Sequence, residues 1–406
     1  MIGLWLDAAR RAPLGLQLLL ILALSRYLCQ GVYAGLFANG FDFKIVHDAA
    51  AAVAHGRGAG IYDAFLAFRP GSGSLFYMYP PPAALLFAPL GLLEHPLAFA
   101  LFQVLSHALL WGFWAVCIRR WPEAERREKG LAALVVILLF SPLYLSLRIG
   151  QSEPLILFCL AAGLYGLNTG RFFVGGLLLA AAVWLKLFLG LLLIHLLLRR
   201  QYRALGYCVF WLALLFAAGG MAVPWEAQAP YWTRLAAPLG IEAFYDNQSA
   251  SGFTYRWLAA SPYATGWIDS PRAAAFLRAA LSAVFLAGYA RAALRARGEE
   301  HSGRLLTLCL VTALLVAPHA DTHHQALLLA GFLSLPFSFG TAAFYAALAE
   351  FVPLVADKFI SLTRLSWFAH GPANAILSLP FFVLAGFWLH LARSVEGGSP
   401  ALAEKK

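Results

Sequence analysis

Apolar runs near the length of a membrane-crossing helix recur throughout this 406-residue chain, and no other feature constrains its fold as strongly. A helix rises 1.5 Å per residue, so about 20 apolar residues match the hydrocarbon core of a bilayer. Such runs fall at 14–36, 96–118, 131–147, 207–223, 273–293 and 373–391, with shorter ones at 155–167, 305–317, 326–339 and 341–356. Short segments of alternating polarity, which a membrane barrel would need, are not seen. Only 12% of the residues are charged, about half the share usual in soluble domains. The chain therefore reads as all-α: one polytopic helical membrane domain over residues 1–406, with about eleven spans and a range of about 9–13. No repeat of fixed period is visible, so the inverted-repeat plan of many transporters gains no support. The N-terminal run lacks a convincing cleavage site and reads as a retained span.

The net charge of +10 is placed in short segments between runs: Arg10 and Arg11; Arg119 and Arg120; Arg126, Arg127 and Lys129; Arg199, Arg200 and Arg203; Arg291, Arg295 and Arg297; Lys405 and Lys406. That distribution suits the positive-inside rule and an anionic lipid surface, not nucleic acid. It puts the N-terminus in the cytoplasm and segments 38–95, 148–154, 224–271 and 318–325 outside. The five cysteines, Cys29, Cys117, Cys159, Cys208 and Cys309, lie inside apolar runs with no C-x-x-C. They read as small buried hydrophobes, not as disulfides or a metal cluster.

The unusual polar residues gather on the external side. GFDFKIVHDAAAAVAHGRGAGIYDA, from Gly40, follows the first span and carries Asp42 and Asp48. A carboxylate at a membrane boundary is partly desolvated, which raises its pKa toward that of a working base; a solvated loop acid is the alternative. Pro80, Pro81 and Pro82 cannot lie within a regular helix, but they can precede one, expected at 83–93 as an interfacial or partly inserted segment. RIGQSEP brings Arg148, Gln151 and Glu153. Lys186 interrupts an apolar run, where two shorter helices are expected to meet; an ionisable group at such depth is a functional candidate, with snorkelling the alternative. Arg148 and Arg256 suit bidentate grip of an anionic head group, or are rim charges. Arg26, inside the first span, fits a packing salt bridge as well as anything. HADTHH, from His319, has spacing that suits neither helical pairing of ligands nor a zinc pattern, so His323 and His324 are better read as donors to a phosphate than as metal ligands. Asn247-Gln248-Ser249 formally matches a glycosylation sequon; the same residues also suit sugar binding or ordering of the loop.

Four stretches together resemble glycosyltransferase family 87, the polyprenol-phosphate-dependent, multi-spanning C-type glycosyltransferases. They are Asp42-Phe43 leading through AAAAVAHGRGAGIYDA to YMYPPPAALLFAPL; IGQSEPLIL with GGLLLAAAVWLK; DNQSASGFTYRW; and APHADTHH. They occur in family order. The resemblance implies a sugar donor on a polyprenyl phosphate, often mannose, and a glycolipid or glycan acceptor at the outer face of the inner membrane. It further implies Asp42 as catalytic base with Asp48 in reserve, a histidine of the late motif, His324 or His323, on the donor phosphate, and no metal or other cofactor. Lys186, Arg256, Arg148, Gln151, Asn247 and Gln248 are the further candidates for the donor's phosphate and sugar. A transporter or flippase of a lipid-linked sugar or anion is the competing class, and a non-catalytic scaffold a third.

Overall fold

The computed structural model describes residues 2–38, 40–71, 76–296, 301–335 and 370–396. The regular elements among them are all helical. Four helices are long and apolar enough to cross a bilayer: Leu14–Leu36, His95–Ile118, Tyr202–Ala222 and Pro271–Arg295. Two bent pairs raise the number to 6 if each is one span, namely Glu123–Leu139 with Ser141–Ile149 (56°) and Gly371–Leu377 with Leu379–Val395 (55°). The expectation of about eleven counts every apolar run, whereas several runs are too short once their helical limits are known. Pro81–Gly91, Glu153–Asn168, Phe172–Leu185, Leu187–Leu198 and Ser302–Val316 have 10–17 residues. At 1.5 Å per residue they reach about 15–25 Å, short of the roughly 30 Å core. The expected span at 341–356, and residues 336–339 of the one before it, lie outside the described residues.

Side-chain placement separates an outer shell from an inner group. Leu14, Leu18 and Ile21 on the first span, and Phe276, Val284 and Leu294 on Pro271–Arg295, are exposed, as lipid-facing positions would be. Ser302–Val316 is the reverse: every residue from Leu305 through Leu315 is buried. The Phe41–Ala54 helix lies against Pro81–Gly91, which starts on Pro81 and Pro82, where a missing N–H costs nothing. The two backbones approach so closely that a Cβ at Gly91 would come within 2.4 Å of the Ala50 carbonyl carbon. The bend at Phe140 leaves carbonyls without helical partners. Arg26 meets that need, donating to the Leu139 carbonyl at 2.6 Å while its guanidinium lies 4.7 Å from the centre of the Tyr144 ring. The segment at 224–271, expected outside, is partly helical, with Trp225–Ala236 and Ala250–Leu258.

Candidate functional site

A cavity of about 550 Å³ opens where five polar segments meet, and Asp42, Tyr79, Gln151, Lys186, His323 and His324 line it. Each is placed by a local break in regular structure. Asp42 stands in the first turn of Phe41–Ala54, just after Gly40. Gly150 ends Ser141–Ile149 with φ of 77°, and a Cβ there would lie 2.6 Å from the Phe43 Cβ. Only glycine accepts both that conformation and that contact, and it carries Gln151 onto the Asp42 helix. Lys186 is extended (φ −143°, ψ 97°) between Phe172–Leu185 and a 3-10 turn, Leu187–Gly190, which is the break read from the sequence. His323 and His324 lie in the short 3-10 helix Thr322–Leu327.

The polar groups form one chain of contacts. Gln151 Nε2 donates to Asp42 Oδ2 at 2.7 Å, while its Oε1 accepts from Tyr79 Oη at 2.7 Å and from Lys186 Nζ at 3.2 Å. Lys186 Nζ lies 3.3 Å from Glu153 Oε1, and Glu153 Oε2 accepts from the Ser146 hydroxyl at 2.7 Å. Both members of this ion pair are buried, Glu153 completely. Removing either alone would strand a buried charge, at a cost of about 3–5 kcal/mol.

The hydrogen bonds fix the state of His324. The Asp321 backbone N–H donates to its Nδ1 at 2.9 Å. A backbone N–H cannot accept, so a neutral ring carries its proton on Nε2. Burial, reinforced by the charge of Lys186, holds the His324 pKa well below the usual imidazole range, which keeps the ring neutral. Nε2 faces Lys186 Nζ at 2.6 Å. At that separation two donors oppose each other with no acceptor between them, so the pair is relieved when an anionic oxygen enters and takes a hydrogen bond from each. Burial likewise pushes the His323 pKa down to about 4. Across the network, burial raises the Asp42 pKa, against the opposing pull of the Gln151 hydrogen bond and the Lys186 charge. Burial and the neighbouring Asp246 push the Asp321 carboxyl up to about 8.

Donor atoms of Glu153, His323 and His324 lie within 4.8 Å of one another, as do those of Asp246, Asp321 and His323. In the first group the Lys186 ammonium already takes the place of a cation beside Glu153, 3.3 Å from its Oε1, and His324 spends the lone pair of Nδ1 on the Asp321 N–H.

Five of the other sequence candidates do not line the cavity. Asp48 pairs with Lys44 at 2.7 Å on an exposed helix face. Arg148 is exposed. Arg256, expected to grip an anion, is fully buried and donates to the Phe244 and Asn247 carbonyls at 3.0 and 2.6 Å. Asn247 is equally buried, donating to the carbonyls of Glu242 and Pro318, so the formal sequon offers no accessible amide. Gln248 donates to the carbonyls of Tyr245 and Leu377. Arg256, Asn247 and Gln248 thus brace buried backbone and do not face the cavity. Sequence reasoning assigned no role to Tyr79, Glu153 or Arg278, the last of which also lines the cavity. Glu153 was visible in GQSEP and Arg278 as a lone charge in an apolar run.

Comparison with known proteins bears on part of this site, Tyr79, Gln151 and Lys186 among it. The model of glycosyltransferase family 87 matches residues 77–318. Among curated proteins, the chain is 27% identical over 283 residues to a polyprenol-phosphate-mannose-dependent alpha-(1-2)-phosphatidylinositol mannoside mannosyltransferase of Mycolicibacterium smegmatis, covering 64% of this chain and 62% of that protein. It is 28% identical over 311 residues to a polyprenol-phosphate-mannose-dependent alpha-(1-2)-phosphatidylinositol pentamannoside mannosyltransferase of Mycobacterium tuberculosis, covering 76% of this chain and 68% of that protein. The match thus spans less than two thirds of the first relative.

Proposed function

The chain belongs to glycosyltransferase family 87, and from that premise we propose that it moves a hexose, mannose by analogy with its relatives, from a polyprenyl-phosphate donor to a glycolipid or glycan acceptor at the external face of the inner membrane. The observation that carries this reading is the pairing of two poles in one cavity. Lys186 Nζ and the Nε2–H of His324 converge at one pole, and the Asp42 carboxylate stands at the other, joined to it through Gln151.

The chemistry follows from the poles. The donor phosphate takes hydrogen bonds from Lys186 and His324, and its sugar projects toward Asp42. The carboxylate removes the proton of the acceptor hydroxyl as that oxygen attacks the anomeric carbon. The bond from that carbon to the phosphate oxygen breaks on the opposite face, so configuration inverts. The leaving polyprenyl phosphate keeps the bond's electron pair, and the converging donors stabilise the charge it gains. A phosphate leaves without protonation, so a second carboxylic acid is not required.

In proteoliposomes, Asp42→Asn is expected to lower transfer of labelled sugar at least 10²-fold and leave affinity for polyprenyl phosphate within about threefold of wild type, because general bases contribute about 10²–10⁴-fold. Near-normal turnover would remove Asp42 as the base. Passage of the labelled lipid-linked sugar across the bilayer without transfer would favour the transporter class instead.

A further inference from the structure

Glu153 lies one layer behind the phosphate pole. It is fully buried and does not line the cavity, whereas Lys186 does. Its Oε1 lies 3.3 Å from Lys186 Nζ, 3.9 Å from His324 Nε2 and 4.0 Å from His323 Nε2. Its Oε2 is held by the Ser146 hydroxyl at 2.7 Å. Both histidines are neutral, so the positive charge of Lys186 is already matched before any ligand arrives.

The donor and the lipid product differ in charge. A sugar on polyprenyl phosphate is a phosphodiester with one negative charge. The polyprenyl phosphate released is a monoester, whose second ionisation near pH 6 gives it almost two at neutral pH. A pole whose lysine is already neutralised from behind tolerates one added negative charge better than two, since the interaction is weakly screened in a buried site. We propose that Glu153 is a positioning residue that aims Lys186 and, by its charge, favours the singly charged donor over the doubly charged lipid product, so hastening product release. The proposal rests on the transferase reading above.

The test compares donor KM with inhibition by polyprenyl phosphate at pH 7.5, in detergent-purified full-length protein. Glu153→Gln keeps the shape and removes the charge. It is expected to shift the ratio of product Ki to donor KM at least tenfold toward tighter product, with acceptor KM unchanged. Glu153→Asp keeps the charge and withdraws the carboxylate by one methylene. It is expected to raise donor KM severalfold and leave that ratio within about twofold of wild type. A Glu153→Gln protein with the wild-type ratio overturns the proposal. If that variant does not fold, Glu153→Asp decides alone: a ratio shifted toward product, or an unchanged donor KM, overturns it. Wild-type protein that neither transfers sugar nor binds polyprenyl phosphate rejects the transferase reading itself, which separates the two failures.

Discussion

Asp42 acquires its character from burial and from two neighbours in space, neither of which adjoins it in sequence. Burial raises its pKa, Gln151 restrains the shift by donating to the charged form, and Lys186 restrains it through charge. On the reading of Asp42 as base, activity is lost as pH falls and the carboxylate takes up its proton. Because the pKa is raised, the midpoint of that loss lies above the ordinary value near 3.9. Asp321 supplies the opposite limb. Its carboxyl lines the same cavity and is pushed up to about 8 by burial and Asp246, so above that pH it adds a negative charge beside the phosphate pole. The kcat/KM for the donor should therefore rise from acid, pass through a maximum and fall around pH 8. Asp321→Asn is expected to abolish the alkaline fall and keep the acid limb. An alkaline fall retained in that variant would assign it to another group. His324 contributes no alkaline limb, because its neutral form is the donor and burial beside Lys186 holds its pKa well below the usual imidazole range.

At the scale of elements, breaks in helices carry the site, and breaks were unevenly legible. The Lys186 break was readable because a lone charge in an apolar run is costly at the middle of a continuous helix. The Pro81–Gly91 start was readable from its prolines. The contact between Glu153 and Lys186 was not, since it depends on how Glu153–Asn168 packs beside Phe172–Leu185. Arg256 shows the converse. An arginine in an external segment suits an anion and a buried brace equally well until its partners are known. Here it ties the Ala250–Leu258 helix to the turn at 244–247 through two carbonyls, with the Asn374 amide donating to its own backbone carbonyl. Arg256→Ala leaves the Asn247 carbonyl without its donor, while the Phe244 carbonyl keeps the Asn247 N–H, which costs about 1–3 kcal/mol. The variant should melt well below wild type in detergent. In the protein that remains folded, donor KM should stay within about threefold of wild type. A large rise in donor KM with unchanged melting would return Arg256 to the phosphate pole.

At the scale of the whole molecule, chain order ties the site to one side of the membrane. Asp42 follows the Leu14–Leu36 span, and Arg119, Arg120, Arg126 and Arg127 follow the His95–Ile118 span. If each helix crosses once, the carboxylate and that basic segment lie on opposite sides, whichever way the protein is inserted. The family match covers residues 77–318 and so reaches neither Asp42 nor His324; their pairing rests on the cavity alone. Orientation therefore matters to the proposal independently of family membership. On the proposed reading the basic segments put Arg119 and its neighbours in the cytoplasm and Asp42 on the other side. Single cysteines test this in a background where Cys29, exposed in its span, is replaced by serine. Arg272 and Glu128 are both exposed, the first at the start of Pro271–Arg295 and the second in the basic segment. In intact cells a membrane-impermeant maleimide is expected to label Arg272→Cys, and to label Glu128→Cys only after permeabilisation. The reverse pattern would place the carboxylate in the cytoplasm, where an acceptor on the outer face could not reach it.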